Sequence, residues 1–184
     1  YYNAHAAFSA FALPRAREAI AILEYIEARQ PGDPRLRTLL ARALLGAWGQ
    51  LGARDRAMVA RAEELALRAL EAEPTLATAH HAIALIRAND GELGAAVRAE
   101  GECLRHDPRN ADAHASLGMW MCEALHVNEG RRRLELSLRF EPGNTSASFF
   151  MLHVLGVTGE RERARALLAD TFARHGPLAA VLLM

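Results

Sequence analysis

Residues 69–80 read ALEAEPTLATAH, residues 103–114 read CLRHDPRNADAH, and residues 137–148 read SLRFEPGNTSAS. These are one phrase written three times, 34 residues apart. Pro74, Pro108 and Pro142 stand in register, each after an acidic residue, Glu73, Asp107 and Glu141. Proline cannot continue a helix, and it biases the residue before it away from helical backbone. Each phrase therefore reads as the end of one helix, a short connection and the start of another. Stops recurring at a fixed interval define a repeat, and that repeat decides the fold.

Numbered from its first helix, one repeat covers residues 77–110, the next 111–144, and a third begins at 145. Position seven is large and apolar (Ile83, Leu117, Met151), and position eight is small in two repeats (Ala84, Gly118) but Leu152 in the third. Position twenty is small throughout, as Ala62, Ala96, Gly130 and Ala164, and position 28 is apolar, as Leu70, Leu104, Leu138 and Phe172. Small residues at eight and twenty let two antiparallel helices approach closely, and the apolar positions bury one face of each. A turn glycine falls at fifteen as Gly91 and Gly159, with Leu125 in its place in the middle repeat.

Helix, turn, helix and a proline at a period of 34 resemble the tetratricopeptide repeat family over nearly the whole chain. The resemblance implies an all-α fold, a right-handed superhelical solenoid of about five antiparallel helix pairs. Position four, where that family packs Trp or another large group, is His80, His114 and Ser148 here. Repeats fall at about 1–34, 35–76, 77–110, 111–144 and 145–178, in a single domain over 1–184. Residues 1–13 would be a remnant first helix and 15–30 its partner. Residues 35–51 and 54–74 form the next pair, with an insertion near 53–56, and a terminal helix is expected over 178–184.

Half of the residues are hydrophobic, a quarter are charged, and acids and bases balance at 22 each, which excludes a disordered tail and gives no net field toward nucleic acid or membrane. Every base is arginine, a coding bias of the kind seen in bacterial genes. Cys103 and Cys122 lack the spacing of a disulfide framework or zinc site and read as free thiols. No apolar run is long enough for a membrane helix and no leader opens the chain, so a cytoplasmic setting is expected. The chain begins at Tyr1 rather than Met, so it reads as a piece of something longer, with any targeting segment outside it. Its apolar ends are expected to self-associate or continue.

Eight histidines are scattered without a metal-ligand pattern, so no metal or cofactor is expected; His80 and His114 read as packing groups. Arg131, Arg132 and Arg133 project about 100° apart on a helix and are flanked by Glu129 and Glu135, which describes a solvated outer face. Glu64 with Arg68 and Glu135 with Arg139 have the spacing of surface helix pairs. Phosphate loops and nucleophile elbows are absent, and the reading is not an enzyme.

In the resembled family, positions two, five, nine, twelve and thirteen of each first helix face a concave groove. Carried over, these include Thr78, His81, Leu85 and Asn89, then Asp112, Ala115, Met119, Cys122 and Glu123, then Ser146, Phe149, His153 and Val157. No basic cluster stands there, so a terminal carboxylate is a poor ligand. The apolar Leu85, Met119 and Phe149 suit an apolar or helical segment of a protein partner, with nothing pointing to nucleic acid or membrane. The rival reading fills the groove with the chain's own flanking helices. The implied function is a scaffold or adaptor module, or else the sensory or docking region of a larger bacterial signalling protein. Finally, positions eleven and 24 carry Arg87 and Glu100 where apolar residues belong, and their opposite charges predict a salt bridge across that helix pair.

Overall fold

The computed structural model describes residues 2–50 and 56–176, with side chains described for 16–48 and 56–176. The terminal helix expected over 178–184 and most of the connection expected at 53–56 lie outside the described residues. Among the described residues there are nine helices and no strand. They fall into two compact units, one ending at Pro108 and one starting at Arg109.

The first unit holds α1 (Tyr2–Arg29), α2 (Pro34–Gln50), α3 (Arg56–Ala72), α4 (Ala77–Asn89) and α5 (Leu93–His106). The separate helices expected on either side of Pro14 are one continuous helix, so that proline does not act as a stop. Pro34 opens α2 in the first helical position, where its missing N–H costs nothing, and the Asp33 carboxylate accepts from the Arg35 amide at 2.9 Å. Leu40, Leu44, Leu45, Val59 and Ile86 form the core, with Ala41, Ala62, Ala66 and Ala82 completely buried between them. Alanine at the crossings lets the helix axes close up, while Ile20, Leu23 and Trp48 close the edges.

In the second unit are α6 (Ala111–Glu123), α7 (Val127–Phe140), α8 (Thr145–Val157) and α9 (Arg161–His175). Asn110 and Asn144 cap α6 and α8 by accepting from the Ala113 and Ala147 amides at 3.0 and 2.9 Å. Such caps contribute about 1 kcal/mol each. The two glycines at positions eight and twenty meet at the α6–α7 crossing. A Cβ on Gly118 would stand 2.8 Å from Leu134 Cγ, and one on Gly130 would stand 2.7 Å from the Gly118 carbonyl oxygen. Where Leu152 replaces the small residue, α8 and α9 pack less extensively. Met151, Val154 and Leu155 of α8 join Ala115 and Leu134 in the core.

Position fifteen needs left-handed backbone in every turn. Gly91 adopts φ 82° and Gly159 φ 76°, and Leu125 is held at φ 65° despite its side chain. Left-handed backbone costs a non-glycine residue roughly 1–2 kcal/mol.

The expected Arg87–Glu100 bridge does not form. Arg87 reaches Glu63 on α3 at 2.5 Å and Glu92 at 3.8 Å. Glu100 is wholly buried and meets His81 Nδ1 at 2.8 Å. Opposite charge alone chose the partners in the sequence, whereas packing of α3 against α4 offers Arg87 an acid at the solvent edge, which is less costly than burying it. Glu135 likewise turns back to Arg131 at 3.2 Å and forward to Arg163 at 3.7 Å rather than pairing with Arg139. Glu64 and Arg68 pair as expected, at 2.9 Å.

Candidate functional site

The carried-over groove positions divide sharply by burial. In the first unit His81 is only 4% exposed and is bonded to Glu100, so it is a core residue rather than a groove residue. Leu85 packs on the core formed by α2, α3 and α4, Thr78 is half-buried, and Asn89 is exposed at the end of α4. In these two repeats position five looks into the helix pair, since Ala115, its counterpart in the next repeat, is also buried, at 2%, whereas the third repeat's Phe149 does not follow them.

The second unit brings several of the positions together. Met119, Cys122 and Glu123 of α6 and Phe149, His153 and Val157 of α8 line one cleft of about 640 Å³. Asp112 lies elsewhere, accepting from Asn144 Nδ2 at 2.8 Å, and Ser146 is exposed near the start of α8. Phe149 stands edge-on to Phe150 at 5.2 Å and tilted against His153 at 5.9 Å, which fixes the aromatic wall.

Sequence reading missed Leu125, Val127, Phe150, Val154 and Thr158, which complete the lining. Leu125 belongs to the α6–α7 connection and Val127 opens α7, and family positions on first helices cover neither. One signal was visible: Leu125 occupies the glycine position, and it is 86% exposed. Val157 is 81% exposed. Leucine and valine side chains left this open beside aromatic rings make an apolar surface with unmet burial. Burial pushes the Cys122 thiol above its ordinary value, and the neighbouring Glu123 charge adds to the shift, which lowers its thiolate fraction.

The histidines at position four act as packing groups. His114 is buried against Phe140 at 5.5 Å, and His80 stacks on His106 at 5.6 Å with Nε2 2.9 Å from the Pro74 carbonyl. The arginine triplet is neutralised by neighbours. Arg131 forks onto Glu160 at 2.5 and 2.9 Å, Arg132 pairs with Glu129 at 3.0 Å, and Arg133 lies 3.9 Å from the other oxygen of Glu129. The Arg131 hydrogen bond, followed by that of Thr158, holds the Glu160 carboxyl at about 2.

These paired helices, with their small-residue crossings and open cleft, have the fold of the tetratricopeptide repeat proteins. Solved structures bear this out across the whole chain. TTC0263, a thermophilic TPR protein of Thermus thermophilus, superposes with a TM-score of 0.69 at 18% identity, covering 100% of this chain and 99% of its own. PilF of Pseudomonas aeruginosa gives 0.58 at 22% identity over 78% of this chain and 67% of its own. MamA gives 0.56 at 16% identity over 88% and 89%. At these identities the likeness is one of fold. No protein-family model and no curated protein matches the sequence. No helix among the described residues is long and apolar enough to cross a membrane.

Proposed function

We propose that the chain is a protein-interaction module whose second unit holds a segment of another protein in the α6–α8 cleft. The observation that carries this reading is the cleft itself, about 640 Å³ with Met119, Leu125, Phe149 and Val157 presented to it. Its size and apolar character suit one or two bulky side chains of an incoming segment. Helical repeats of this fold bury a continuous core between neighbours and leave such surfaces for recognition.

The test replaces Val157 by Asp and, separately, Met119 by Ser. Affinity capture with the wild type, followed by reconstitution with the purified captured protein, should give a complex that both variants lose. Helical circular dichroism should stay close to that of the wild type. Equal binding by wild type and Val157→Asp would overturn the reading, because a charge cannot be seated in an occupied apolar cleft without loss of affinity.

A further inference from the structure

Glu123 differs from the other carboxylates of its unit. Glu129, Glu135, Glu160, Glu162 and Asp170 each hold an arginine, while Asp112 and Glu141 accept from Asn144. Among the described residues Glu123 alone in this unit has no such partner, although the unit is rich in arginine. It sits on the rim of a cleft whose lining includes no arginine. A lone carboxylate over low-dielectric walls projects a field that draws cations and repels anions.

Leu125 supplies a second, independent observation two residues further on. Its backbone holds the left-handed conformation that glycine takes in the two sister turns, and its side chain is almost fully exposed. The folded unit gains little packing from that leucine and bears the backbone strain of having it. The side chain nonetheless lines the same cleft as Glu123. Strain of this kind, retained without local compensation, points to a contact made with something else.

We infer that the cleft takes an amphipathic partner segment in which a bulky apolar residue lies next to a lysine or arginine. The apolar residue seats against Leu125, Phe149 and Val157, and the cation meets Glu123. This rests on the reading of the cleft as a protein-binding site and adds the sign of the partner's charge. Charge complementarity is what selects such a segment over a neutral or acidic one.

The experiment uses three fluorescein-labelled synthetic peptides of equal length, with leucine anchors flanked by Lys, Gln or Glu, and reads Kd by anisotropy. The Lys peptide should bind most tightly and the Glu peptide most weakly, the two differing by about tenfold or more at low salt. That spread should shrink as salt rises, and Glu123→Lys should reverse the order. Leu125→Gly should weaken all three peptides while the melting temperature holds or rises, an outcome that a merely structural role for Leu125 would not give. Equal affinities for the three peptides, all lost in Met119→Ser, would overturn the inference and leave the cleft reading standing. Absence of any saturable peptide binding would overturn both. Self-association in sedimentation that Glu123→Lys abolishes would assign the cleft to a second copy of the chain and also overturn the inference.

Discussion

The carboxyl of Glu100, fully enclosed on α5, meets Nδ1 of His81 on α4 at 2.8 Å, and its other oxygen has no hydrogen-bond partner. The equivalent position in the next repeat is Leu134, also fully buried. A polar pair therefore occupies the place of an apolar contact. Buried pairs add little net stability over an apolar pair, but breaking one leaves an uncompensated group inside. His81→Ala should therefore destabilise the fold by roughly 3–5 kcal/mol, whereas His81→Phe combined with Glu100→Leu should recover most of that loss. Arg87→Ala, which frees only a partly exposed arginine, should cost no more than about 1 kcal/mol. Denaturant titration of wild type, His81→Phe, Glu100→Leu and the double variant measures the coupling. A value near zero would show that the two side chains do not depend on each other.

What the sequence made legible was whatever the period encodes. Pro74, Pro108 and Pro142 place the helix ends, and Ala62, Ala96 and Gly130 place the crossings, because stops and close approaches repeated in register mark the period, whereas the unrepeated Pro14 lies within a helix. His81 was illegible for the opposite reason. Its position number names a direction relative to the repeat, but burial there depends on Glu100, a residue 19 places away that only packing brings near. Arg87 was likewise assigned the wrong acid, since Glu63 belongs to the preceding repeat. Met119, Phe149 and His153, taken from their repeat positions, do line one cleft, but its rim at Leu125 lies in a turn that helix periodicity does not describe.

The α6–α7 crossing sets a steric test. Gly130→Ala would force a methyl group to within 2.7 Å of the Gly118 carbonyl oxygen and 3.0 Å of the Cys122 amide nitrogen, both of them backbone atoms. Overpacking of this kind costs about 1–3 kcal/mol. Thermal melting checks it against Gly101→Ala, where a Cβ meets nothing within 4 Å, so that variant carries the helix-propensity gain without the clash.

At Leu125 the expectation has the opposite sign. Leu125→Gly relieves left-handed backbone strain and removes almost no buried surface, so it should stabilise the second unit by about 1 kcal/mol. Denaturant midpoints of the two forms decide it. A lower midpoint in the variant would mean that the leucine packs on the folded unit after all.

Acid should weaken the Arg131–Glu160 ion pair. The Arg131 hydrogen bond lowers the Glu160 carboxyl from an ordinary 4.5 to about 2. The folded form then gives up this proton more readily than the unfolded form. The contribution is complete above 4.5 and is lost as pH falls from there through about 2. Melting temperatures of wild type and Glu160→Gln should differ at about pH 6 and converge toward about pH 2. A gap that stays constant over that range would remove Arg131 and Glu160 from the account of stability.

The central claim is that the α6–α8 cleft, and not the outer face of α7, meets the partner protein. A photo-activatable amino acid placed at Val157 in the cleft, and in a second variant at Arg132 on the exposed side of α7, reads this directly. Irradiation in cells followed by identification of the covalent adducts should capture one partner from position 157 and leave position 132 without it. Capture from position 132 with none from position 157 would contradict the claim.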